Sequence, residues 1–171
     1  YRPPVPFSYS QSMNWMLSDA NNKHASVIIH FHSDAFSTNP DAVSELLAYV
    51  YRDKQAGLRR GLWWTYYDIL FALNVEALNE IGGWDTLFNS YFVDQDLKRR
   101  LRLAGWECHD THIQGISHEG SATINSDPKL QLIHSISFPL TRMLYLAKWG
   151  GEPEKEQFRF PFNNPQFDLK P

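Results

Sequence analysis

The chain has 171 residues, 43% hydrophobic and 15% aromatic, with 16 Lys and Arg against 19 Asp and Glu. That size and apolar content suit one domain with its own core and exclude a disordered tail. The net charge of −3 argues against a dedicated nucleic-acid binder, which carries a basic excess. A single cysteine, Cys108, excludes an intrachain disulfide framework and a cysteine-rich zinc site.

No apolar run approaches the length of a membrane span, and no leader is visible, which points to the cytosol. The Pro-rich opening, YRPPVPFSYS, reads as an extended lead-in. Met13, Met16, Leu17 and Ala20 then recur at helical spacing, and Asn21-Asn22 end that helix. ASVIIHF is a β-branched, almost wholly apolar strand, the pattern of a central strand buried on both faces. The following helix starts from Asn39 and Pro40 and carries Val43, Leu46, Leu47 and Val50 as its stripe.

GLWWTYYDILFALN reads as one or two aromatic-rich strands. Asn74 caps a short helix that Gly82-Gly83 stops. DQDLKRRLRLAG is a helix with acids at its start, Leu97 and Leu101 inward and Gly105 as its stop, and WECHDTHI is a strand. Residues 127–149 form a long helical pattern that Pro139 should kink or break. Residues 1–149 are taken as the domain and 150–171 as a tail. Its alternating Phe158, Phe160 and Phe162 are expected to pack back onto the domain. Strands alternating with helices give an α/β class.

Chemistry concentrates first in SVIIHFHSDAF. His30, His32 and Asp34 sit at alternate positions, and all three are zinc-ligand types. A zinc metallohydrolase would need a further histidine after the aspartate, where Ala35 stands. Asp34 also reads as a turn-forming acid, Asp94 as a helix cap and His118 as an ordinary loop histidine.

Taken together, Gly82-Gly83-Trp84-Asp85, Asp94-Gln95-Asp96-Leu97 with Arg100, Ala104-Gly105-Trp106 and His118-Glu119-Gly120 follow the HSDAF strand end in a fixed order. This order resembles the C-terminal two-thirds of a family 2 glycosyltransferase of the GT-A fold. The likeness spans most of residues 10–124 and lacks the usual N-terminal nucleotide-binding unit. It implies a mixed sheet flanked by helices and inverting transfer of a sugar from a nucleotide-diphosphate donor to a carbohydrate or other hydroxyl acceptor.

On that resemblance Asp34 and His118 hold Mn²⁺ or Mg²⁺, and His32 stands in place of the family's first acid as a substrate-binding residue, either favouring Mn²⁺ or contacting only the donor's phosphate. Asp94 is the catalytic base, and Trp84, Asp85 and Asp96 contact substrate. Val93 replaces the usual glutamate before Asp94. No Q-x-x-R-W motif follows the Arg-rich helix, which argues against a processive polysaccharide synthase. Trp63, Trp64, Tyr66 and Tyr67 offer a sugar-stacking wall or simply a core. The reading from a different class is a non-catalytic carbohydrate-binding module on the same scaffold.

Overall fold

A computed structural model describes residues 5–65, 69–120 and 122–171. Helix α1, Tyr9–Asn22, opens with a capping box: Ser8 accepts from the Gln11 amide while the Gln11 side chain accepts from the Ser8 amide. Strand β1, Val27–Phe31, leads through a turn into the short β2, Ala35–Ser37. Helix α2, Ala42–Gln55, buries Ala42, Leu46 and Val50, whereas Val43 of the expected stripe is exposed. Asn39 serves the start of α2 from two residues further out, accepting from the Asp41 amide.

Strands β3, Arg60–Thr65, and β4, Leu70–Asn74, form an antiparallel hairpin from the single aromatic run. Asn74 caps helix α3, Val75–Ile81, as expected, and Gly82 ends it in the left-handed region. Helix α4, Val93–Leu103, strand β5, Glu107–Asp110, and strand β6, Ile116–His118, follow. Two further helices are α5, Ala122–Asn125, and α6, Pro128–Trp149. Pro139 lies inside α6 without ending it, and Thr141 places its hydroxyl on the Ser137 and Phe138 carbonyls of that turn.

The main sheet is mixed, in the order β1-β4-β3-β5, with β3 and β5 parallel and the other pairs antiparallel. Side chains alternate across it, so β3 and β4 feed two cores. Leu62, Phe71 and Leu73 join α1, α3, α4 and the end of α6 on one face. Trp63, Leu70 and Ala72 join α2 with Ile113 and Ile116 on the other.

β1 is an edge strand of this sheet, not the central strand its composition suggested, and Ile29 and Phe31 are exposed. Apolar content reports burial of a face, not how many neighbours a strand has. β2 and β6 form a separate two-stranded ladder in which Ala35 faces His118. Gly115, with φ of +82°, immediately precedes β6, and a Cβ there would meet the Asn39 side chain at 2.9 Å.

The tail does pack back, but through other groups than the three phenylalanines together. The Gln157 and Phe158 amides bond the Trp149 carbonyl, and Arg99 donates to the Phe158 carbonyl. Phe160 and Phe162 remain exposed. No helix among the described residues is long and apolar enough to cross a membrane.

Candidate functional site

β1 ends one residue before His32, whose amide still bonds the Ile69 carbonyl. The chain then turns through Ser33 and Asp34 and closes with Ala35 donating to the His32 carbonyl. The β2–β6 ladder brings His118 to this turn from 84 positions beyond Asp34 in sequence, and Glu119 donates to the Asp34 carbonyl. One ligand atom each of His32, Asp34 and His118 lies within 4.8 Å of the others. His118 Nε2 is 3.2 Å from Asp34 Oδ1. The His32 and His118 rings meet edge to face at 5.8 Å.

Two details define what this cluster is able to do. The Gly120 amide donates to His118 Nδ1 at 3.0 Å, so the ring proton sits on Nε2, towards Asp34. His32 Nε2 is buried and has no hydrogen-bond partner among the described residues. A buried imidazole nitrogen without a partner is unfavourable unless something else occupies its lone pair or takes its proton. Two imidazoles and one carboxylate form a donor set that fits a divalent cation.

His30, the other histidine of the motif, stands outside this cluster. Its ring stacks on Phe71 at 4.7 Å and meets Tyr9 and His32 edge to face. The zinc reading built on His30, His32 and Asp34 therefore does not describe the grouping that forms, in which His118 takes the third place.

Asp94 sits in the first turn of α4, half-buried, and its Oδ2 accepts from Gln95. It borders a small cavity with Tyr9, Phe71, Trp84, Leu97 and Lys98. Tyr9 and Phe71 are the rings that touch His30, so Tyr9, Phe71, His30 and His32 run from the Asp94 cavity to the cluster of His32, Asp34 and His118. Phe92, immediately before α4, has φ of +60°, rare for a bulky residue. Its ring is wedged between Phe138 and Tyr145, which over-determines the conformation and aims the first turn of α4.

The three other expected substrate contacts have different work. Asp96 is fully buried. It accepts from Arg100 Nε at 2.7 Å and from Trp149 Nε1 at 2.9 Å, and it lies 2.7 Å from Lys148 Nζ. Burial pushes its carboxyl up, but Arg100 and Lys148 outweigh that and hold it below the ordinary carboxylate range. Asp85 is also buried, bonded to Lys148 at 2.6 Å and to the Leu87 amide. Arg100 completes the unit by donating to the Ile81 and Gly83 carbonyls.

The expectation that Asp85 and Asp96 contact substrate thus gives way to a structural role: they bind α6 and the Gly-Gly turn to α4. Trp84 is 2% exposed, so its face is not a free platform, although it borders the Asp94 cavity. Asn14, which carried no sequence signal, fixes Trp84 by accepting from its amide and donating to its carbonyl, both at 2.8 Å. Gly83 has φ of +78°, and a Cβ there would fall 2.5 Å from Asn14 Oδ1.

Of the aromatic wall, Trp63 is core and donates to buried Asp53. Trp64 is half-buried beneath Lys98 Nζ, and Tyr66 and Tyr67 lie outside the described residues. Trp64 and Thr65 border an open cavity of about 510 Å³ that Asp110, His112, Gln114 and Ile116 complete. Its wall ends on β6, the strand that carries His118. No protein-family model, curated protein or solved structure matches this chain.

Proposed function

We propose that the chain is a glycosyltransferase domain of the GT-A type, transferring a sugar with inversion from a nucleotide-diphosphate donor to a hydroxyl acceptor. The observation that carries this reading is the convergence of His32, Asp34 and His118 from opposite ends of the motif set. Oxygen-only shells suit Mg²⁺, and two imidazoles move the preference towards Mn²⁺. A bound cation supplies charge neutralisation for the departing diphosphate.

The protein's own groups divide the remaining work. His32, Asp34 and His118 would hold the cation and, through it, orient the diphosphate end of the donor. Asp94, half-buried in the first turn of α4, takes the proton from the acceptor hydroxyl. The acceptor oxygen bonds to the anomeric carbon as the bond from that carbon to the phosphate oxygen breaks, and the nucleoside diphosphate leaves with that electron pair. The cavity beside Trp64 and Thr65 is of a size that holds a sugar residue.

The test is release of nucleoside diphosphate from a panel of UDP-, GDP- and CDP-sugars with Mn²⁺ and a mixture of simple glycoside acceptors. Asp94→Asn is expected to lower turnover by about 10²–10⁴-fold, the usual contribution of a general base, with little change in thermal stability. Equal turnover in Asp94→Asn and the parent chain would remove Asp94 from this role. A chain that binds the nucleotide yet releases none is the non-catalytic module.

A further inference from the structure

Helix α6 has two apolar faces, and one is packed on the domain, with Thr141 and Tyr145 buried and Phe138 still 39% exposed. His134, Phe138, Thr141 and Tyr145 recur at helical spacing and face the domain. Phe138 packs on Tyr91 and Phe92, His134 bonds the Tyr91 hydroxyl, and Tyr145 packs on Phe88. Leu132, Ile133, Ile136, Leu140 and Met143 fall on the opposite side. These five are between 55% and 65% exposed. A helix apolar on both sides is normally buried on both.

We infer that this outer stripe is a homodimer surface, in which α6 of one chain pairs antiparallel with α6 of a second copy. Ile133, Ile136, Leu140 and Met143 are spaced three, four and three, the spacing of a packed helix seam. That spacing reads the same in both directions about position 138. A two-fold axis there sets Ile133 against Met143 of the second copy and Ile136 against Leu140, so the surface is complementary to itself.

The area is in range. With the exposed surface of these five residues fully covered in both copies, at most roughly 1,100 Å² is buried, at the ~1,000 Å² lower bound of a specific interface. A bilayer is the poorer occupant, because an interfacial helix carries a strongly charged face beside its apolar one. Here the residues flanking the stripe are Ser135, Ser137, Pro139, Arg142 and Leu144, of which only Arg142 is charged, and the helix's other Lys and Arg charges are Lys129 near its start and the buried Lys148.

This inference is independent of the cation site. Sedimentation of the whole chain across the micromolar range is expected to show a monomer–dimer equilibrium, and the double variant Ile136→Glu with Leu140→Glu to raise its Kd at least 100-fold. The substituted residues are exposed, so the circular dichroism spectrum should not change. Cysteines give a second, geometric readout. Ile133→Cys mixed with Met143→Cys should form a disulfide between chains, while Ile133→Cys alone should not, since like positions are ~15 Å apart along the antiparallel pair.

The native Cys108 thiol is half-buried, and desolvation pushes it up to about 11, which keeps it a poor competitor for exchange. A chain that stays monomeric overturns the inference, whether or not it sediments with anionic phospholipid vesicles. A dimer that survives the double variant overturns it as well, and so does cross-linking of Ile133→Cys to itself as readily as to Met143→Cys.

Discussion

His118 holds its ring proton on Nε2 because the Gly120 amide occupies Nδ1. A cation bound at Nε2 would displace that proton, and a neutral ring would then carry its proton on Nδ1, which no longer accepts from an amide. Loading the site therefore has to break the Gly120 hydrogen bond and move the Glu119-Gly120 backbone. On titration with diamagnetic Mg²⁺ or Zn²⁺, the Gly120 amide resonance is expected to shift and its hydrogen exchange to accelerate. A Gly120 amide that stays put while the histidine resonances respond would mean the cation enters by another route. At this scale the sequence is only half legible. The residue types at 32, 34 and 118 announce a ligand set, but the tautomer that governs loading depends on a backbone amide two residues on.

The elements α4 and α6 and the Gly-Gly turn are held together by one buried charge group. Lys148 bridges Asp85 and Asp96, Arg100 bonds Asp96 and the turn, and Trp149 closes on Asp96. Removing Lys148 leaves buried Asp85 without its cation and Asp96 with only Arg100, so Lys148→Met is expected to cost about 3–5 kcal/mol. In a chain of this size that lowers the melting temperature by roughly 6–20 °C.

The pH dependence follows in sign. Asp96 is held below its unfolded value, so its contribution is complete above about pH 4 and is lost as pH falls through the lower folded value. Lys148→Met removes one of the two stabilising cations and raises that folded value, so acid unfolding should begin at a higher pH than in the parent chain. An unchanged acid midpoint would show that Lys148 contributes nothing to holding Asp96 ionised. The motif pieces Asp85, Asp96 and Arg100 were visible in the sequence as a set. Their burial was not, because acids at a helix start read equally well as caps, as substrate contacts or as ion-pair partners. Lys148, 52 residues beyond Asp96, decides among these, and no local spacing announces it.

Across the whole molecule, hydrophobic periodicity located most of the elements, from α1 with Met13 and Leu17 to α4 with Leu97 and Leu101. It did not locate β6, three residues long, whose pairing with β2 brings His118 to His32 and Asp34. So short a ladder leaves almost no period to read. Periodicity also put β1 inside the sheet, where the fold sets it at an edge with Ile29 and Phe31 exposed.

The tail was right in kind and wrong in detail, since backbone bonds to Trp149 anchor it more than the three phenylalanines do. The grouping of His32, Asp34 and His118 is therefore a product of topology: His32 and Asp34 come from the edge-strand turn and His118 from a two-stranded ladder. The proposed base Asp94 comes from a helix that Phe92, at φ of +60°, opens. The most direct test is a thermal titration of the whole chain with UDP, GDP and CDP, each with and without Mn²⁺, beside Asp34→Asn. At ~100-fold excess over Kd, a nucleotide that needs the cation should raise the melting temperature by about 5–10 °C only when Mn²⁺ is present, and Asp34→Asn should abolish the rise. No rise with any nucleotide, or an equal rise in Asp34→Asn, would contradict a cation-held diphosphate site at His32, Asp34 and His118.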